Sequence, residues 1–166
     1  MAKISFDGID EYAQRLGILW KSQRKIIENA VYAGAQVVAD EIKEGLKQLP
    51  IEEGKNGLPP IGSKENPLKG VSRRQKADLI DGFGLAPMED NNGYINTKAG
   101  FDGYGSVKTK TYPKGQPNAM LMRSVESGTS FRDKHPVIRP AVNRARKKSK
   151  EAMQKKIDER MNEIFQ

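Results

Sequence analysis

Apolar positions fall into two long helical patterns at the ends of the chain, with turn-rich sequence and short alternating stretches between them. Lys3–Phe6 alternates polar and apolar residues, which predicts a short strand. Asp7 then reads as an N-cap, with Asp10 and Glu11 countering exposed N–H groups in the first turn. The helix so started covers Ile9–Trp20 and presents Ile9, Tyr12, Ala13, Leu16 and Leu19/Trp20 on one face. Ser22 reads as the cap of a second, longer helix, in which Ile27, Val31, Gly34/Ala35, Val38, Ile42, Leu46 and Leu49 recur every three to four residues. Ala30, Gly34, Ala35 and Ala39 keep the middle of that helix thin, so another backbone can come close. Pro50 fits a stop just beyond its end.

Residues 50–71, PIEEGKNGLPPIGSKENPLKGV, hold four prolines and four glycines and predict a long loop or arm. Ser72 caps a short helix, Arg73–Asp81, that stops at Gly82. Asp90-Asn91-Asn92-Gly93 is a hairpin signal, since Asn-Gly accepts the positive φ of a tight turn. It predicts strands at Gly84–Glu89 and Tyr94–Phe101. Val107–Tyr112, with its Lys-Thr-Lys-Thr alternation, suits an exposed edge strand. Ala119–Gly128 fits either strand or helix; Asn118 as a cap and the methionines favour a helical turn. A final helix covers Arg139–Phe165, with Pro140 tolerated in its first turn and an apolar stripe of Val142, Ala145, Ser149, Met153, Ile157, Met161 and Ile164. The fold class is α+β: a small antiparallel sheet packed against long N-terminal and C-terminal helices, in one domain.

Composition adds a thin core. The 166 residues are 36% apolar and 30% charged, with one tryptophan, and such chains are often completed by association. With no cysteine, disulfides and thiolate chemistry are excluded. No signal peptide or membrane span is visible, so a soluble protein is expected. Of the net charge of +8, six units lie in residues 119–166, which carry 12 basic and 6 acidic groups. That asymmetry points to a polyanionic neighbour, nucleic acid or an acidic protein surface, or to a solvated helix face.

Candidate chemistry is sparse. His135 is the only imidazole and sits among Arg132, Asp133, Lys134 and Arg139; a plain loop histidine is the competing reading. Asp78/Asp81 and Glu89/Asp90 are carboxylate pairs, the first on one helix face at i, i+3, and Glu52/Glu53 lie in the arm. Neither a metal site nor an acid–base pair gains a second partner from these, and no cofactor or enzymatic activity is expected. Nucleic-acid binding is the sharper rival. Arg139–Lys150, RPAVNRARKKSK, carries Arg139, Arg144, Arg146, Lys147, Lys148 and Lys150 and no acid, enough to contact phosphates. No aromatic is interleaved for base stacking, and the charges spread around the helix.

Three stretches, taken in order, resemble the tail-completion (head–tail joining) family of long-tailed bacteriophages, the family of lambda minor tail protein Z. The first is the helix pair ending at Leu49-Pro50. The second is the strand region LIDGFGLAPMEDNNGYINTKAGFDGY. The third is a closing signature of Glu126-Ser127-Gly128-Thr129 followed by Pro136-Val137-Ile138-Arg139-Pro140-Ala141 and a long helix. Ser124-Val125 stands where that family often has Tyr or Phe, and Ile138 where it often has Phe. The resemblance implies a virion protein of the neck or tail junction, made in the host cytoplasm and acting as a hexameric ring. Its implied neighbours are tail-tube, tail-terminator or head-closure proteins, with DNA in the channel and no membrane. Within the signature, Gly128 would turn the chain with positive φ, Pro136 and Pro140 would fix its direction, and Ala141 would begin the helix. Glu126 would bond either to the turn's N–H groups or to a basic neighbour. The arm residues Leu58, Pro59, Pro60 and Ile61 would serve contacts between subunits.

Overall fold

The computed structural model describes residues 9–166; the strand expected at Lys3–Phe6 and the cap expected at Asp7 lie outside the described residues. The chain is α+β. Helix α1 (Ile9–Lys47) is followed by a loop with a 3-10 turn at Lys55–Gly57 and by α2 (Arg73–Asp81). Strands β1 (Phe83–Leu85), β2 (Glu89–Asn91), β3 (Tyr94–Asn96) and β4 (Ala99–Phe101) come next, then α3 (Asn118–Ser127) and α4 (Ile138–Phe165).

The two helices expected before Pro50 are one. Ser22 does not cap: its hydroxyl donates back to the carbonyl oxygens of Ile18 (2.8 Å) and Leu19 (3.4 Å), which a serine inside a helix can also do. The resulting helix of 39 residues is about 58 Å long. Its inner half carries the core: Ala39, Ile42 and Leu46, with Leu49 just beyond its end, cluster with Val71, Leu79, Phe83, Leu121, Met122, Val125, Val137 and Ala141. Its outer half leaves that body and runs beside α4 as an antiparallel pair.

The pair is close where the sequence is small. Ser149 Oγ donates to the Gly34 carbonyl at 2.9 Å, and a Cβ on Gly34 would lie 2.5 Å from Met153 Cγ. At the outer end Arg15 donates to the Phe165 carbonyl, and the Tyr12 and Phe165 rings lie 6.1 Å apart. On α4 the buried positions are Ala141 and Ala145, whereas Val142, expected on the apolar stripe, is exposed; Met153, Ile157, Met161 and Ile164 are half-buried. On α1 the buried line passes through Ile26 and Ala30, one position away from the expected Ile27. The face expected at Tyr12, Ala13, Leu16 and Trp20 is exposed.

Helix α2 forms where expected, with a complete capping box. Ser72 Oγ accepts from Gln75 N (3.2 Å) and Gln75 Oε1 from Ser72 N (3.1 Å), which satisfies two N–H groups that the helix cannot. The sheet is one antiparallel hairpin in two pieces, with Leu85 opposite Ala99 and Glu89 opposite Asn96. Three residues, 86–88, face two, 97–98, so the ladder is interrupted by a bulge where Pro87 has no N–H to give. The tip turns at Asn92 (φ 56°) and Gly93 (φ 86°), the positive pair that a two-residue hairpin needs. Asp90 links the tip to α1 through Arg24 at 3.0 Å.

Two expectations fail between the hairpin and α3. Val107–Tyr112 is not a strand: Thr109 N bonds to Tyr112 O (3.1 Å) inside the loop, and Val107 turns inward and is buried. Asn118 does not cap α3, whose N-cap is Pro117; its side-chain Nδ2 donates to the Asp102 carbonyl (2.8 Å) and ties the end of the hairpin to the helix. Among the described residues no helix is long and apolar enough to cross a membrane.

Candidate functional site

The closing signature is built around a helix start. An α-helix leaves four N–H groups at its N-terminus without partners. At α4 these belong to Val137, Ile138, Arg139 and position 140. Glu126, in the last turn of α3, accepts from Val137 N (2.6 Å), Ile138 N (2.9 Å) and Arg139 N (3.1 Å). Position 140 is proline and has no hydrogen to satisfy, and Ala141 N makes the first bond within the helix, to Val137 O (3.1 Å). So Glu126 bonds to the N–H groups rather than to a basic neighbour. Pro140 stands in the first turn, and Ala141 is its first fully buried residue.

Between the two helices Gly128 has φ 73° and ψ 170°, a region open only to glycine. Thr129 N and Arg132 O bond at 2.9 Å, closing a tight turn at 129–132, and His135 N donates to Val125 O (2.7 Å). The imidazole of His135 makes no hydrogen bond among the described residues. Pro136 is exposed just before α4. The strained glycine gives a direct test. Gly128→Ala should lower stability by about 1–3 kcal/mol in urea unfolding, while Gly84→Ala, with open space around it, should stay within about 0.5 kcal/mol of the parent.

The arm is tied down at its base and onto this turn. Val71 N bonds to Pro50 O (3.0 Å) and Glu52 N to Val71 O (2.9 Å). Glu52 Oε2 also accepts from Lys69 N (2.5 Å) and Gly70 N (2.9 Å), and Glu53 Oε1 accepts from Arg73 N (3.0 Å) at the start of α2. Leu68 N donates to Phe131 O (2.9 Å) and Asp133 N to Leu68 O (2.8 Å). Pro59 and Pro60 are half-buried, Leu58 is exposed, and Ile61 is 99% exposed.

The arm and the signature turn thus come together. Pro59, Pro60 and Ile61 line, with Gly128, Thr129 and Phe131, a groove of about 760 Å³ to which α3 and the loop at 109–116 also contribute. The basic run stands elsewhere, on α4. Arg144 is spent on Glu41 of α1 at 2.6 Å, and Lys147 lies 3.9 Å from Glu151. Arg139, Arg146 and Lys150 recur at i, i+7 and i+11, on one exposed stripe. They and Lys148 make no ion pair among the described residues.

The carboxylate pairs resolve into structural contacts. Asp78 Oδ2 accepts from Ser106 N (2.8 Å) and Oγ (3.0 Å), Glu89 pairs with Lys98 (2.8 Å), and Asp81 is exposed. Among the described residues no group of three or more His, Cys, Asp or Glu is placed to hold a metal.

The residue that sequence reasoning missed is Arg132. It lies in an unremarkable charged stretch, yet it is only 6% exposed and lines the groove. Its Nη1 donates to the Gly70 carbonyl, and among the described residues its Nε has no partner. Burial pushes its guanidinium below the ordinary value, against the opposing pull of Glu52. Only the three-dimensional meeting of residues 50–71 with 128–134 buries it.

Comparison of this chain with protein-family models, curated proteins and solved structures finds no match.

Proposed function

We propose that this chain is a structural protein of a bacteriophage neck or tail junction, acting by assembly of copies into a ring, hexameric as in tail components of this kind, against tail-tube, tail-terminator or head-closure neighbours. The observation that carries the reading is the apolar surface left bare on the outer half of α1. Tyr12, Leu16, Trp20 and Ile27 fall within about 80° of arc on that helix, and Trp20 is 75% exposed. An isolated exposed apolar residue is ordinary, but an aligned row beside a long helix pair fits a contact between proteins. The order of elements, two long helices bracketing a hairpin and the Glu126–Ala141 turn, supports the same reading.

Mass spectrometry of purified virions should find the chain, and lysine cross-linking should join Lys21 or Lys25, on the same outer half of α1, to another copy or to a tail component. A Leu16→Ser/Trp20→Ser variant should fold like the parent, because both positions are exposed, yet give far fewer infectious particles. Virions that lack the chain overturn the reading.

A second reading, a small nucleic-acid-binding protein, is favoured by the free stripe of Arg139, Arg146 and Lys150. It requires retention on DNA at low salt that falls steeply as salt rises. Changing these three and Lys148 to glutamine should abolish that retention; a parent chain that passes through unretained ends this reading.

A further inference from the structure

We infer that the groove between the arm and α3 is a docking site for an extended acidic segment of a partner protein, which sets a carboxylate on Arg132 and an apolar side chain against Ile61 and Phe131. The inference does not depend on the assembly reading.

A guanidinium removed from water costs several kcal/mol unless its donors are taken up. Arg132 is 6% exposed, and its side-chain bond is one, from Nη1 to the Gly70 carbonyl. Among the described residues Nε has no partner and no carboxylate forms an ion pair with the guanidinium. Glu52 is near enough to attract the charge, but its Oε2 already accepts two backbone N–H groups. The guanidinium stays protonated at any ordinary pH; its Nε is closed to solvent, and Nη2, which makes no bond among the described residues, is the donor left for a carboxylate. A buried cation short of acceptors at the edge of an open groove is a receptor half of that pair.

The shape and chemistry around Arg132 fit the same occupant. About 760 Å³ is room for a few side chains of a peptide rather than for an ion alone. The lips are apolar: Ile61 stands fully in solvent, and Phe131 and Met120 are exposed. Proline at 59 and 60 restricts the backbone on one lip, so little entropy is lost there when a ligand binds. A nucleic-acid backbone is the weaker fit. It would need a row of cations, whereas the groove offers Arg132 and Arg123, and the free basic stripe lies on α4.

Selection of a displayed random heptapeptide library on the full chain tests this. The expected result is enrichment of peptides with Asp or Glu beside an aliphatic or aromatic residue. Replacing that acid by its amide in a synthetic selected peptide should weaken binding roughly tenfold or more, and so should Arg132→Gln. Because Arg132 also holds the Gly70 carbonyl, circular dichroism of Arg132→Gln is recorded alongside as the check on its fold. If the fold is lost, Ile61→Asp at a fully exposed position decides, again with a roughly tenfold loss expected. No enrichment, selected peptides without an acid, binding indifferent to Ile61→Asp or to a folded Arg132→Gln, or displacement of the peptide by a dT20 oligonucleotide each overturn the proposal.

Discussion

Glu126→Ala should lower the free energy of unfolding by about 2–4 kcal/mol, one of the largest losses available from a single polar side chain here. The carboxylate accepts three N–H groups at the start of α4. Alanine returns all three to water or leaves them unpaired, at a cost of about 1 kcal/mol or more apiece where water cannot reach. It also removes a negative charge from the positive end of a 28-residue helix. One term opposes: Glu126 lies in the last turn of α3, where a negative charge is unfavourable. Its loss there returns a few tenths of a kcal/mol, too little to change the sign. Glu126→Gln keeps an acceptor oxygen but no charge, and should cost about 1–2 kcal/mol. Urea unfolding followed by circular dichroism measures both. A Glu126→Ala midpoint equal to the parent's would mean that water serves these N–H groups as well as the carboxylate does.

Leu46→Ala should cost about 3–5 kcal/mol, the range for a buried leucine whose cavity cannot collapse. Leu46 has no exposed surface and lies in the cluster where α1 meets α2, α3 and α4. Four elements hold its walls apart, so little relaxation is expected. A loss of this size is a large share of an ordinary domain's stability of about 5–15 kcal/mol, and the variant should unfold well below the parent on heating. Ile27→Ala is the matched comparison. Ile27 belongs to the same sequence-derived stripe but is 44% exposed, so it should cost about 1 kcal/mol or less. Equal losses at the two positions would contradict the packing described for α1.

That pair also shows what the sequence carried and what it did not. The inner half of α1 was legible because Ile42 and Leu46, with Leu49 just past its end, face several elements at once, and a wide apolar face follows. Farther out, among the described residues, α4 and the hairpin tip are the neighbours. A narrower contact suffices there, and it runs through Ile26 and Ala30 instead of Ile27. Ser22 misled for a chemical reason: the same hydroxyl that caps a helix can bond back to Ile18 and Leu19 within one. Ser72, Asn92-Gly93 and Gly128 were legible, since each has a local geometry that few residues satisfy. Val107–Tyr112 had the alternation of an edge strand, but among the described residues no strand pairs with it. For the candidate sites, Glu126 was visible with its two possible partners left open, because the answer depends on a fold across eleven to thirteen residues. The groove was not visible at all. It forms where the arm meets a turn some 70 residues later, and nothing in a row of charged residues marks Arg132 as the one to be buried.

The antiparallel course of α1 and α4 has a mechanical consequence. Arg15 meets Phe165 at the outer tip, so force applied there to the two strands of the pair opens it like a zipper, one turn at a time. Force entering from the body and leaving through the tip would instead load every turn together, in shear. A pull on the two tip ends should therefore part these helices at low tension, long before the body around Leu46 yields.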